Sequence, residues 1–163
     1  METRSGDITL TAGDGEAVTG TVRKESRSGP DALDAVSVTT ATSEGVFLVR
    51  AEWSDRTENV SVDFDLEVPP ALPVERAQTV NGDLAVEDVD GHGTYRTENG
   101  SVDVENADGY VTVASRNGDV TARDVGGLDG ARTTNGEVAV DVPAVRRDVT
   151  CATTNGDVRL TPL

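Results

Sequence analysis

Apolar and polar residues alternate along most of the chain, a pattern that predicts β-strands with one buried face. The same short unit recurs, as in TENGSVDV at 97–104, TTNGEVAV at 133–140 and TTNGDVRL at 153–160. Five copies align on the dipeptide Asn-Gly, with spacings of 18, 18, 18 and 20 residues: Asn81, Asn99, Asn117, Asn135 and Asn155. A fixed period indicates an array of structurally equivalent units.

The alternation changes parity at the Asn-Gly dipeptides. Before the dipeptide the apolar residues have odd numbers, as Val111 and Val113 do, and so does Asn117, whereas after it they have even numbers, as do Val120 and Ala122. We therefore predict that the chain turns a corner at this point, where glycine supplies a positive φ. The parity predicts three interior columns: Leu84, Val102, Val120, Val138 and Val158; Val86, Val104, Ala122, Val140 and Leu160; and Tyr95, Val113, Ala131 and Cys151.

Two architectures fit corners of this kind. In a β-solenoid, equivalent positions of successive coils stack about 4.8 Å apart, and the asparagine side chains form an internal ladder of amides. In an antiparallel meander, each Asn-Gly would be a type I′ hairpin turn. A hairpin needs Asn-Gly only locally, whereas stacking favours Thr, Asn and Val each in its own column. The sequence therefore favours an all-β, single-domain β-solenoid with a repeat of about 18 residues.

The N-terminal half contains weaker copies of the unit. TRSGDITL at 3–10 fits the template with Ser5 in place of Asn, and RTENVSVDFD at 56–65 aligns without a gap on RTENGSVDVE at 96–105. The prolines of VPPALPVE at 68–75 should interrupt strand pairing. We predict a single domain with less regular early coils and regular Asn-Gly coils after them: 1–163 as a whole, 1–75 and 76–163.

Composition and charge restrict the interior and the surroundings of this array. Only 3% of the residues are aromatic, which predicts a thin core filled by Val, Ala and Thr. The chain has 30 acidic and 14 basic residues and a formal net charge of -16, which argues against nucleic acid as a partner. Lys24 is the only lysine. We expect such an acidic, lysine-poor surface in a protein that works in molar salt.

The sequence predicts no catalytic, cofactor-binding or metal site. His92 is the only histidine and is interpreted as a solvated loop residue, and Asp129 is misplaced for a calcium-binding nonapeptide. Cys151 is the only cysteine, and we expect it to be buried beside Ala131 and protected from thiol reagents. Trp53 is interpreted as a core or cap residue. We therefore expect a protein that is not an enzyme.

A column of mostly acidic residues should stand outward just past the corners. It could be a row of cation ligands or a salt-adapted solvent face. For this column we favour the solvent face. The carboxylates of the chain are also spread so uniformly that no acid and base pair stands out. The members of the column are Asp83, Ser101, Asp119, Glu137 and Asp157.

The NGDV copies, the strand VSVDFDLEVP and the closing TTNGDVRL resemble the DUF4097 family of adhesin-like β-strand-repeat proteins. The resemblance implies a β-solenoid, often outside the membrane behind a signal or lipid anchor, and it implies no catalytic residues. The first residues, METRSGDITL, show no export signal. Localisation therefore stays open between the cell surface, which the resemblance suggests, and the cytoplasm.

Three functional hypotheses follow. The first is a non-enzymatic structural or binding module of a salt-adapted prokaryote, not membrane-spanning, which presents an acidic repeat surface to a protein or to the cell envelope. The alternative is a polysaccharide-acting β-helix enzyme, which would need a groove built by insertions that the regular coils almost lack. The third is self-association through open end strands.

Overall fold

The chain winds into a β-solenoid, which confirms the predicted architecture. The computed structural model describes residues 1–43, 46–54, 59–70, 72–142 and 149–162. Its regular coils repeat about every 18 residues and contain two short strands each. Because equivalent strands of successive coils pair in parallel, two sheets run along the stack, one with eight strands and one with five.

Each regular coil passes from the five-stranded sheet to the eight-stranded sheet through an Asn-Gly corner. The strands before the corners are β6 Arg76–Gln78, β8 Gly93–Arg96, β10 Tyr110–Ala114, β12 Gly127–Arg132 and β14 Thr150–Ala152. The strands after the corners are β7 Leu84–Glu87, β9 Val102–Glu105, β11 Val120–Arg123, β13 Val138–Val142 and β15 Val158–Pro162.

The three predicted interior columns are confirmed by the strand register. Val102 pairs with Leu84 on one side and with Val120 on the other. The third column runs from Tyr95 to Cys151 through equivalent pairs. The side chains of the middle coils are fully buried, whereas Val158 is 45% exposed because no described coil lies beyond it.

The asparagine ladder exists, but the prediction that it is internal is wrong. The Asn99 Nδ2 donates to the Asn81 Oδ1 at 2.8 Å, and the next three pairs repeat this contact at 2.8, 2.6 and 2.8 Å. All five asparagine side chains are exposed. Alternation holds only within a strand, and β10 ends at Ala114, so parity no longer decides where Asn117 points.

The inward polar position belongs to the Thr or Ser two residues before each asparagine. The Thr97 Oγ1 donates to the carbonyl oxygen of Gly82 in the preceding coil at 2.9 Å. Ser115, Thr133 and Thr153 repeat this bond at 2.7, 2.8 and 3.0 Å. These hydroxyls satisfy the glycine carbonyls of the corners, which would otherwise be left unpaired at the edge of the core.

The corners accept only glycine. Gly118 has a φ of +146°, and a Cβ atom there would lie 2.0 Å from the carbonyl oxygen of Gly100. The coils therefore approach each other most closely where the side chain is missing.

The first predicted copy of the N-terminal half is confirmed and the second is not. Ser5 bridges Asn81, and β1 Ile8–Ala12 pairs in parallel with β7. Strand β5 Val60–Val68 also pairs with β1, but Phe64, not Val62, lies beside Ile8. The alignment was thus wrong by two residues, because β5 stays extended where a corner was expected. Residues 56–58 of that alignment lie outside the described residues.

The segment expected to form irregular coils contains antiparallel strands. Strand β2 Thr19–Ser26 pairs with β5, and β3 Val36–Ser43 pairs with β4 Val46–Trp53. A short 3-10 helix, Pro30–Ala35, precedes β3. Strand β2 is the edge strand of the eight-stranded sheet, whereas β3 and β4 form a two-stranded sheet of their own. Glu2 bridges both Arg50 in β4 and Gln78 in β6, which connects this small sheet to the five-stranded sheet.

The proline-rich segment separates the N-terminal strands from the regular coils. Strand β5 ends at Val68 and β6 begins at Arg76, so Pro69, Pro70 and Pro73 all lie between strands, as predicted.

Candidate functional site

The outward side of the eight-stranded sheet is rich in carboxylates, and we call it the acidic face. Arg123 lies in the middle of this face, 3.8 Å from Asp103 and 4.0 Å from Asp141 in the neighbouring coils. These pairs are exposed and contribute little to stability. The exposed carboxylates of the acidic face on its strands are Glu25, Asp65, Glu67, Glu87, Asp103 and Glu105.

The acidic column at the corners stands outward as predicted, but it also joins the coils. The Asp83 Oδ1 accepts a hydrogen bond from the backbone N–H of Ser101 at 2.8 Å. The Asp119 Oδ1 accepts one from Glu137 in the same way at 2.8 Å. The sequence did not lead us to predict this hydrogen bond between coils. The repeated short acidic or Ser residue directly after each Asn-Gly could have indicated it.

Several corner carboxylates have backbone partners along the stack. The Oδ1 of Asp7, for example, accepts the N–H of Asp83 at 2.8 Å. Within the part of the chain that the structure describes, no group of three or more His, Cys, Asp or Glu side chains could hold a metal ion.

The outward side of the five-stranded sheet has a different chemistry, and we call it the arginine–threonine face. Ala114 pairs with Arg96 on one side and with Arg132 on the other, so the two arginines are separated by two coils, about 10 Å. Asp129, in the irregular part of β12, is an exposed carboxylate beside them. One outward column of this face contains Arg76, Thr94, Thr112, Gly130 and Thr150, and the other contains Gln78, Arg96, Ala114, Arg132 and Ala152.

The carboxylates are therefore not spread uniformly over the solenoid, contrary to expectation. They dominate one sheet face and the corners, while arginine and threonine dominate the other face. Sequence periodicity places residues in columns, but it does not say which columns share a sheet, so this segregation becomes visible only in the structure.

His92 and Tyr110 form a contact between two adjacent coils. Their rings are stacked with centroids 5.6 Å apart, and the His92 Nδ1 accepts the backbone N–H of Tyr110 at 3.1 Å. His92 is exposed, which agrees with a solvated loop residue, but it also contacts Tyr110 of the next coil.

Trp53 and Cys151 lie at opposite ends of the stack. Trp53 ends β4, packs partly buried against the core and donates through its Nε1 to the Val60 carbonyl at 3.2 Å, which agrees with a core or cap residue. Cys151 pairs with Ala131 as predicted but is only partly buried. Burial raises the pKa of the Cys151 thiol.

A cavity of about 370 Å³ lies at the N-terminal end of the stack. Its lining is mostly apolar and includes Leu10, Val49 and Val68, together with Glu2 and Glu75. The Glu2 carboxylate is already paired with Arg50 at 2.7 Å. The cavity therefore does not present two unpaired carboxylates for acid and base catalysis.

Comparison with known proteins gives no match to a protein-family model, to a curated protein or to a solved structure. None of the helices in the described ranges has the length and apolar character that crossing a membrane requires. Function is therefore inferred from the fold and its two faces, and the resemblance to the adhesin-like family stays a prediction.

Proposed function

We propose that the chain is a non-enzymatic structural or binding module, adhesin-like, of a salt-adapted prokaryote. The acidic face is its solvent face, and the arginine–threonine face binds an anionic polymer of the cell envelope. The observation that supports this proposal is the concentration of exposed carboxylates on the eight-stranded sheet. The charged residues on the described strands of the five-stranded sheet are Arg76, Arg96, Arg132 and Asp129.

The arginine–threonine face has the groups that an acidic polysaccharide requires. A guanidinium can bind a carboxylate or sulfate through two parallel hydrogen bonds. The Thr94, Thr112 and Thr150 hydroxyls can both donate to and accept from sugar hydroxyls. Arg96 and Arg132 lie two coils apart in one outward column, and Thr94 and Thr112 lie in adjacent coils of the other. A polymer that lies along the stack can therefore meet arginine and threonine more than once.

Salt should act on this binding in two opposite ways. The net charge of -16 repels a polyanion at a distance. The screening length falls from about 10 Å at about 0.1 M salt to about 3 Å at about 1 M, so molar salt removes most of this repulsion. Salt also screens the contacts between the exposed arginines and the polymer and weakens them.

The test measures binding of polygalacturonate, with dextran as the neutral probe, by calorimetry in about 0.1 M and about 1 M potassium chloride. The double variant Arg96→Gln/Arg132→Gln should weaken polygalacturonate binding by about tenfold or more, since charged hydrogen bonds are lost. The matched control is Arg123→Gln/Arg159→Gln on the acidic face, which should bind like the wild type.

Equal weakening by both double variants, or equal binding of dextran, would show that the arginine–threonine face is not the binding face. The same samples test the alternative of a polysaccharide-acting enzyme. We expect the length distribution of the polygalacturonate to stay unchanged on long incubation, and a shortened polymer would support the enzyme.

A further inference from the structure

Two arginines of the arginine–threonine face occupy alternate coils of one outward column. From β6 to β14 this column alternates between an uncharged residue and an arginine: Gln78, Arg96, Ala114, Arg132 and Ala152. Adjacent coils lie about 4.8 Å apart, so the two arginines are about 10 Å apart along the stack. The charge of the column therefore repeats every second coil, although the fold repeats every coil.

The coil between these two arginines has no charged residue on its strand of this face. The outward residues of β10 are Tyr110, Thr112 and Ala114. The last two offer a hydroxyl and a methyl group, and Ala114 is half-buried. Arg76 lies in the other outward column, one coil before Arg96. A ligand that follows the column of Arg96 thus meets a cation, a neutral surface and a second cation in turn.

Both guanidinium groups can accept an anionic ligand. Arg96 and Arg132 are exposed, and within the described ranges neither forms an ion pair. Arg123 on the acidic face differs, because it lies 3.8 Å from Asp103 and 4.0 Å from Asp141. An anionic group that binds at Arg96 or Arg132 therefore does not have to displace a described carboxylate.

We propose that the arginine–threonine face selects a polysaccharide in which acidic and neutral sugars alternate, an inference that rests on the proposed function. A sugar unit of an extended polysaccharide is about as long as one coil is thick. An acidic group on every second sugar therefore recurs at the separation of Arg96 and Arg132. Each guanidinium can bind such a group through two parallel hydrogen bonds. The neutral sugar between them lies over Ala114 and exchanges a hydrogen bond with the Thr112 hydroxyl.

A polymer with an acid on every sugar fits this face less well. Its intermediate acidic group would lie over Ala114, where it would lose water without gaining a cationic partner. Each additional negative charge also increases the repulsion by the net charge of -16. The expected preference thus has a local cause and a global cause, and a positive charge added at a chosen position separates the two.

The experiment compares two oligosaccharides of equal length, both long enough to reach from Arg96 to Arg132. The hyaluronan oligosaccharide has a carboxylate on every second sugar, and oligogalacturonate has one on every sugar. Calorimetry measures both affinities in potassium chloride at a fixed concentration at which circular dichroism shows the folded state. The wild type should bind the hyaluronan oligosaccharide about tenfold more tightly, because the intermediate carboxylates of oligogalacturonate have no cationic partner.

The variant Ala114→Arg places a third guanidinium between the two arginines of the column. It should tighten the binding of oligogalacturonate by about tenfold and that of the hyaluronan oligosaccharide by less than about threefold. The matched control is Thr121→Arg, which adds the same charge in the same coil but on the acidic face. This control should leave the ratio of the two affinities as it is in the wild type.

Equal wild-type affinities, or a higher affinity for oligogalacturonate, would overturn this inference, as would the same change of the affinity ratio in both variants. The proposed function would still stand if Arg96→Gln/Arg132→Gln weakens the binding. Binding of neither oligosaccharide by the folded wild type would overturn the proposed function together with this inference. The wild-type comparison decides the matter even if circular dichroism shows that Ala114→Arg does not fold.

Discussion

At the scale of single residues, the inward Thr and Ser hydroxyls bind the coils to each other more firmly than the asparagines that dominate the repeat. Thr133 is 6% exposed and donates to the Gly118 carbonyl, whereas Asn117 is exposed and bonds at the surface. A hydrogen bond contributes more where water cannot replace it.

The variant Thr133→Ala should therefore lower the free energy of unfolding by about 1 to 3 kcal/mol, because the partly buried carbonyl of Gly118 loses its donor. Thr134→Ala, the exposed neighbour, should change it by less than about 0.5 kcal/mol. Urea unfolding followed by circular dichroism measures both. The loss of unfolding free energy for Asn117→Ala should lie between those two values. A larger loss for Asn117→Ala than for Thr133→Ala would mean that the asparagine, and not the threonine, is the inward residue.

The residue columns could be predicted from the sequence, but the direction of the corner side chains could not. Parity placed Val102, Val120 and Val138 correctly because these residues lie within strands. It failed at Asn117 because the bend begins before this residue. Alternation carries no information where the chain is no longer extended.

At the scale of elements, strand β8 carries a fully buried tyrosine. Tyr95 pairs with Ala77 and Val113 in the interior column, and burial raises the pKa of its phenol from 10.0 to about 12. The folded state therefore holds the phenolic proton more tightly than the unfolded chain does. The stability due to this proton is complete below pH 10 and is lost as the pH rises from 10 towards 12.

This loss should amount to about 3 kcal/mol, since each unit of pKa difference corresponds to about 1.4 kcal/mol. The variant Tyr95→Phe lacks the phenol, so its unfolding free energy should fall less steeply over this pH range. Tyr110→Phe, at a less buried position, should follow the wild type. The same slope for the wild type and Tyr95→Phe would show that Tyr95 does not titrate as a buried group.

The antiparallel strands at the N-terminal end could not be predicted as such. Their partners lie far apart in sequence, as with β2 and β5, and no repeated unit marks their register. The alignment of 56–65 was wrong by two residues for a similar reason. A short motif matches several strand registers, and only the pairing of β5 with β1 places Phe64 beside Ile8.

At the scale of the whole molecule, stacking brings like charges together. Asp119, Glu137 and Asp157 occupy equivalent positions in successive coils, which lie about 4.8 Å apart. The ion pairs of Arg123 are exposed and offset little of the repulsion. A stack with this charge distribution should be most stable where salt screens neighbouring coils from each other.

The proposed function depends most on the claim that the acidic face is a solvent face adapted to concentrated salt. The most direct test is the melting temperature, followed by circular dichroism, as potassium chloride rises from about 0.1 M to about 1 M, a range over which the screening length falls from about 10 Å to about 3 Å. We predict that the melting temperature rises steadily over this range. A melting temperature that stays constant or falls would contradict the claim.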